Sequence, residues 1–436
     1  MKRLKAWACC LLALMCLGVA GAAVAADDRP NIILIMADDL GYECIGANGS
    51  EYDTPSLDAL AAGGVRFTNC FANPICTPSR VKIMTGQYNV RNYVKFGLLP
   101  RGEVTFAHQL KKAGYATAIA GKWQLGPEVD APKHFGFDRS CLWQHTRKRT
   151  WAGKKNDSRF SNPALEIDGK EVDFTSGEYG PRVCADFICD FIEEKKDGPF
   201  LVYFPMILTH CPFVPTPDSK DWDPKDKGSE TYKGDAKYFP DMVTYMDRSV
   251  GQIVAKLEKL GLRENTLILF TGDNGTDKPV KTMMDGRQIV GGKGQMADEG
   301  TRTPLIASWP GKIKKGHVSD ELVDFTDMMP TLCEVSGAEL PAGYAGDGVS
   351  LLPALRGEAG RDKPWVYIWY RGQVMARNKT YSLVGKQDGS KMRFIKYARS
   401  FDGEALDLAG LTPEEKGVHK RLQTVIDELA KTRPKQ

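Results

Sequence analysis

The apolar residues of this 436-residue chain follow two rhythms. In the first they run without interruption, as in Asn31-Ile32-Ile33-Leu34-Ile35-Met36, Pro199-Phe200-Leu201-Val202-Tyr203-Phe204 and Thr266-Leu267-Ile268-Leu269-Phe270. An unbroken, partly β-branched run of this length reads as a strand buried on both faces, as in a parallel sheet. Shorter strands are predicted at Val65 to Cys70, Tyr115 to Ala120 and Leu305 to Trp309. In the second rhythm apolar positions recur every three or four residues. Tyr238 to Leu260 carries Met242, Tyr245, Met246, Val250, Ile253, Val254 and Leu257 on one stripe. That spacing predicts a long amphipathic helix with its Met and Tyr residues in the core. Thr54 caps a helix that opens with Pro55 and stops at Gly63-Gly64. Further helices are predicted over Val104 to Ala113, Arg182 to Glu194 and Phe325 to Val335.

Strands that alternate with helices make the fold class α/β, with a large, mostly parallel central sheet flanked by helices. From about residue 360 the pattern changes. Trp365 to Met375, Thr380 to Val384 and Met392 to Ala398 read as short antiparallel strands, and Leu411 to Leu429 as a helix with Pro413 in its first turn. A small C-terminal antiparallel sheet with a helix is therefore expected. Residues 127–180 follow neither rhythm and read as an irregular, substrate-facing segment rich in Lys, Arg, Gly and Trp.

The first 25 residues stand apart. Lys2, Arg3 and Lys5 precede an apolar stretch from Trp7 to Val19, and Ala23-Val24-Ala25 offers a small-x-small cleavage site. This is the layout of a signal peptide, and the apolar stretch is too short to span a bilayer comfortably. The expectation is an exported protein, periplasmic or secreted, with no membrane span after cleavage. Without these residues the formal net charge falls from +4 to +1, and no long basic run remains. Nucleic-acid binding has no support in such a balance. Cys9, Cys10 and Cys16 leave with the leader; at this chain length the remaining cysteines do not suggest a dense disulfide framework.

Chemistry gathers where the apolar runs end. Asp38-Asp39 follows the first run, and Thr271-Gly272-Asp273-Asn274-Gly275 follows the run at 266–270. In open α/β sheets ligands bind beyond the carboxyl ends of the strands. Two adjacent carboxylates there repel each other unless a cation lies between them. Oxygen donors without imidazole or thiolate favour calcium or magnesium over zinc. A second, mostly cationic set comprises Arg80, Lys122 and Lys293, with His210. Cys76 stands two residues before Pro78 and four before Arg80, at a predicted helix entry. A helix N-terminus attracts anions, and Arg80 can hold a tetrahedral oxyanion by paired hydrogen bonds. An oxygen-lined cation beside basic groups and a nucleophile is the layout for transfer of a tetrahedral oxyanion. A bare thiolate is soft and suits a hard cation poorly.

The run Cys76-Thr77-Pro78-Ser79-Arg80, followed by Thr85-Gly86, resembles the signature of the sulfatase family, within the alkaline phosphatase superfamily. The likeness extends over nearly the whole chain after the leader. It includes Asp38-Asp39-Leu40-Gly41, Gly121-Lys122-Trp123-Gln124-Leu125-Gly126, His210-Cys211-Pro212-Phe213, Asp273-Asn274-Gly275 and Lys293-Gly294 through Glu299-Gly300. The resemblance implies an alkaline-phosphatase-like catalytic domain over residues 26–358 and a C-terminal α+β subdomain over 359–436. It implies conversion of Cys76 to formylglycine by a maturation enzyme and one calcium ion held by Asp38, Asp39, Asp273, Asn274 and residue 76. It further implies catalytic roles for Cys76, Arg80, Lys122, His210 and Lys293. The substrate is then a sulfated carbohydrate or another sulfate ester. At Gln124 the family has a histidine, and an amide can bind sulfate but cannot serve as a base. His145, in the irregular segment, is a candidate to supply that imidazole and to bind substrate. Two other functions stay open on the sequence: a phosphate or phosphonate monoester hydrolase of the same superfamily, and a non-catalytic sulfoglycan-binding protein.

Overall fold

The computed structural model describes residues 29–143, 159–226, 228–359 and 361–434. In chain order the strands are β1 (Asn31–Ala37), β2 (Val65–Phe71), β3 (Ala116–Lys122), β4 (Arg139–Trp143), β5 (Ala164–Ile167), β6 (Lys170–Asp173), β7 (Phe200–Pro205) and β8 (Thr266–Gly272). A hairpin, β9 (Lys281–Met284) and β10 (Arg287–Val290), precedes β11 (Leu305–Ser308) and β12 (His317–Asp324). The last five are β13 (Val366–Tyr370), β14 (Gln373–Arg377), β15 (Tyr381–Lys386), β16 (Arg393–Arg399) and β17 (Asp402–Ala405).

Ten strands form one sheet in the order β12-β2-β11-β8-β1-β7-β3-β4-β5-β6. At its centre β8, β1, β7 and β3 lie side by side and parallel. Every residue of β1, β7 and β8 is buried, as their unbroken apolar runs require. β11 runs antiparallel to both β8 and β2, so β2 points the same way as the central four. With β4 parallel to β3 and β12 parallel to β2, seven strands release their chains at one edge, and the segment leading into β11 returns to that edge. Helices cover the two faces. The Phe239–Lys259 helix packs beside the Gly180–Glu194 helix, with Met242, Tyr245, Met246, Val250, Ile253 and Leu257 buried.

Part of the expected irregular segment is ordered. Residues 139–143 add to the sheet as β4, and β5 and β6 extend it antiparallel. The apolar run Cys141-Leu142-Trp143 was too short to stand out among charges. β12 went unread because His317-Val318-Ser319-Asp320-Glu321-Leu322 carries few apolar residues. It is an outer strand and needs few, since half-exposed edges tolerate polar residues.

The second sheet is an antiparallel meander, β13 to β17, with the Pro413–Ala430 helix packed across β14 and β15. A capping box between Thr412 and Glu415 starts that helix. β13 touches the large sheet's machinery directly. Lys82 Nζ donates to the Tyr367 carbonyl at 2.9 Å, and Asn73 Nδ2 to that of Trp369 at 2.8 Å. Lys82 also pairs with Asp324 at 3.1 Å, while Lys363 pairs with Asp324 and Asp327 at 3.0 and 2.5 Å. All of these groups are buried.

Candidate active site

The chain leaves β1 into Asp38 and Asp39, β8 into Asp273 and Asn274, and β7 toward His210, while Lys122 is the last residue of β3. The parallel register therefore sets these side chains around one point at the sheet edge. The segment after β2 turns into the Cys76–Thr85 helix, whose first residue is Cys76 and whose third is Pro78. Pro78 costs no intrahelical hydrogen bond there, because the first N–H groups of a helix have no partner within it. Asp39 sits at φ 61, a left-handed conformation that a non-glycine residue adopts only when its surroundings hold it there. The holding contacts are the Asp39 N–H to Asp273 Oδ1 at 3.0 Å and Asn274 Nδ2 to Asp39 Oδ1 at 2.8 Å.

Each carboxylate has a cation. Lys122 Nζ donates to Asp38 Oδ2 at 2.6 Å, Lys293 Nζ to Asp39 Oδ2 at 2.5 Å, and Arg80 Nη2 to Asp273 Oδ2 at 2.8 Å. Arg80 Nη1 also donates to the Lys122 carbonyl at 2.9 Å. Lys293 is carried in by the loop before β11, whose Gly294 N–H bonds the Pro74 carbonyl at 2.8 Å. His210 Nε2 lies 3.7 Å from Asp39 Oδ2.

Three carboxylates this close cannot all stay charged cheaply. Burial works against the charge of Asp38, yet Lys122, His210 and Arg80 hold it well below the usual carboxylate range. Burial raises Asp39 against the pull of Lys293. Burial and neighbouring Asp38 push Asp273 up to about 7. Burial pushes the Cys76 thiol up as well, with Lys122 and Lys293 opposing. Burial and then Lys293 hold His210 well below the ordinary histidine range, so its imidazole is neutral at neutral pH.

The donor set suits a hard cation. Ligand atoms of Asp38, Cys76 and Asp273 fall within 4.8 Å of one another. Among the described residues Asp38 Oδ1 and Asn274 Oδ1 are buried and accept no hydrogen bond. Two buried oxygens left over at one point, in an oxygen-rich set, fit calcium or magnesium.

The sulfatase family model matches residues 30–338, and the model for the C-terminal part of N-sulphoglucosamine sulphohydrolase matches residues 291–431. The chain belongs to the sulfatase family. It is 31% identical over 400 residues to N-acetylgalactosamine-6-sulfatase of Mus musculus, covering 84% of this chain and 73% of that one. It is 34% identical over 394 residues to arylsulfatase A of Homo sapiens, covering 81% and 73%. Among solved structures, Ps i-CgsB in complex with k-i-k-neocarrahexaose shares the fold at a TM-score of 0.76 and 24% identity, over 93% of this chain and 94% of that one. This protein is accordingly a hydrolase of sulfate esters.

The sulfatase site gathers every described residue that the sequence singled out. Gln124, at φ 54, accepts a hydrogen bond from Thr77 Oγ1 at 3.1 Å, so its amide sits against the neighbour of Cys76. His145 lies outside the described residues. The sequence missed Arg159. It is 5% exposed, stands over the Trp143 ring at 4.3 Å, and brings Nη1 to 3.0 Å from His210 Nδ1. No motif marks it, and its 51-residue separation from His210 hides the contact. Tyr93 and Tyr370, their rings 5.9 Å apart, also escaped notice, because their approach depends on β13 meeting the short Asn89–Asn92 helix.

Proposed function

We propose that this sulfatase removes sulfate from a sulfated carbohydrate, using formylglycine made from Cys76 and a calcium ion. The observation that carries the reading is the pairing of Lys122 with Asp38 and Lys293 with Asp39 on either side of Cys76. The residues to hold calcium are Asp38, Asp39, Asp273, Asn274 and residue 76, where the ion would supply charge compensation for the carboxylates and polarise a sulfate oxygen. The Lys122 and Lys293 ammonium groups would be released to grip a tetrahedral anion only with a cation on those carboxylates. The hydrate of a formylglycine at residue 76 would supply an oxygen nucleophile in place of a buried, neutral thiol, and a second hydroxyl for expelling sulfate.

The chain's own residues do the rest. Burial disfavours the charge of Lys293, yet Asp39 holds its ammonium well above the ordinary lysine range. It is therefore cationic at neutral pH. Arg80, fixed by Asp273 and the Lys122 carbonyl, keeps a guanidinium beside residue 76. His210 serves the leaving oxygen. Gln124 presents an amide, which can hold a sulfate oxygen but moves no proton.

The carbohydrate class draws on the relatives. N-acetylgalactosamine-6-sulfatase is named for a sulfated sugar, and a solved structure sharing this fold at a TM-score of 0.72 and 22% identity holds D-glucosamine-2-N,6-O-disulfate as its substrate. Export is proposed from the leader pattern at residues 1–25; among the described residues no helix is long and apolar enough to cross a membrane. The catalytic α/β unit is taken as residues 26–358 and the C-terminal unit as 359–436.

The test is the mass of the peptide containing Cys76, from protein made with a formylglycine-generating enzyme, together with sulfate release from a panel of sulfated saccharides. An aldehyde at residue 76 with release supports the reading. An unmodified thiol in an actively hydrolysing sample sinks it.

A further inference from the structure

A cavity of about 1200 Å³ opens beside the site, between the loop that carries Lys293 and two turns of the C-terminal sheet. Gln295, two residues beyond Lys293, forms one wall. The β13–β14 turn contributes Arg371, and the ends of β15 and β16 contribute Lys386, Lys391 and Arg393. Four cations thus face one space. Asp388 is the single acidic residue on the lining, and its carboxylate accepts from the Ser390 N–H at 2.8 Å. None of the four cations is ion-paired among the described residues, whereas nearby Lys396 and Arg399 have Glu415 and Asp402. Cations kept unpaired around one concavity raise the local concentration of anions.

The cavity is joined to the chemistry by short links. Gly294 is pinned to the Pro74 carbonyl, immediately before the Cys76 turn. The Arg371 guanidinium lies over the Tyr370 ring at 5.3 Å, and Tyr370 meets Tyr93 at 5.9 Å. Burial raises both phenols, and a negative charge at residue 76 would raise them further. A ligand that filled both spaces would pass along the Tyr93–Tyr370 pair.

We propose that this cavity is an anion subsite that takes a second sulfate or carboxylate, carried on a sugar unit other than the one losing its sulfate. The substrate is then a polyanionic oligosaccharide rather than a monosulfated sugar. This rests on the carbohydrate reading above and adds that Lys386, Lys391 and Arg393 select for charge beyond the scissile ester. Exposed cations of this kind act through encounter rate and salt dependence more than through tight contact.

The experiment titrates a heparin hexasaccharide, and its desulfated counterpart with carboxylates retained, into the full-length protein and the triple variant Lys386→Gln, Lys391→Gln, Arg393→Gln. Melting temperatures check folding, and the single reversal Lys391→Glu stands in if the triple variant melts early. The expected result is binding of the sulfated hexasaccharide weakened about tenfold, with a shallower dependence on salt. Loss confined to the sulfated form assigns the subsite to sulfate; equal loss for both forms assigns it to either anion. Unchanged affinity in a folded variant overturns the proposal. Sulfate release from the hexasaccharide is followed in the same samples. Binding that depends on the three cations without any release would keep the subsite while counting against the catalytic reading for that glycan.

Discussion

Arg159 Nη1 stands 3.0 Å from His210 Nδ1 and 2.5 Å from the Cys211 carbonyl. A guanidinium is always protonated, so it donates to the Cys211 carbonyl. His210 Nδ1 lies 2.5 Å from the same carbonyl, so the guanidinium and the ring are fixed against one acceptor while Nε2 faces Asp39 and the site. Arg159 is thereby a positioning residue for His210, held in place over Trp143.

Replacing Arg159 with Ala should lower kcat about ten- to a hundredfold, the usual loss when the partner of a working histidine is removed, with a smaller change in KM. Arg159→Lys should recover part of the loss. Nitrogen chemical shifts of the His210 ring check the cause, because the Ala variant should shift the balance between its two tautomers. A kcat loss with an unaltered tautomer would reduce Arg159 to a packing residue.

The buried charges behind the Cys76 helix predict acid sensitivity. Burial alone would raise the Asp324 carboxyl, but Lys363 and Lys82 hold it well below the usual range. A carboxylate whose folded pKa is depressed contributes stability above its unfolded value, near 3.9, and loses that contribution as pH falls toward the folded value. Burial lowers the Lys82 ammonium, which partly offsets the gain. Melting temperature should therefore fall below about pH 4, and Asp324→Asn should flatten that fall while costing about 3 kcal/mol at pH 7, because Lys82 is left without a carboxylate while Lys363 keeps Asp327. A mutant that melts like wild type at pH 7 would show the pairing to be unimportant.

Cation removal gives a separate readout from turnover. Anything that binds only the folded chain raises its melting temperature by mass action. Dialysis against a calcium chelator should lower the melting temperature, and added calcium should restore it. Asp39→Asn should remove the calcium response while Cys76→Ala keeps most of it, since four oxygen donors remain. Cys76→Ala should in contrast cut sulfate release more than about a thousandfold, the scale seen when a nucleophile is deleted.

How much of this was visible in the sequence follows from how local each feature is. The central strands β8, β1 and β7 were legible because a strand buried on both faces must be continuously apolar, and β3 because its run ends in Lys122. Their carboxyl ends carried the site with them, so Asp38, Asp39, Lys122 and Asp273 were found together. Arg159 and the Tyr93–Tyr370 pair were not, because each works through a partner distant in sequence and lies in no periodic segment. The anion cavity needed the C-terminal sheet to fold back beside the Lys293 loop, which no pattern of residues announces.

Gln124 offers the sharpest test of mechanism. Its side-chain oxygen is taken up by the Thr77 hydroxyl at 3.1 Å, beside residue 76, where the family resemblance puts a histidine. Its backbone at φ 54 is one that histidine tolerates better than most residues, so Gln124→His should fold. An imidazole there can take a proton during sulfate expulsion, and an amide cannot. The variant should show kcat raised about tenfold at pH 8 and falling on acidification through an apparent pKa near 6.5, the ordinary histidine value. Wild type should lack that limb, because burial keeps His210 neutral well below it. If wild type already titrates near 6.5, another base serves the step and Gln124 is no handicap. If Gln124→His binds sulfate normally but turns over more slowly, the amide is itself the better fit to this site.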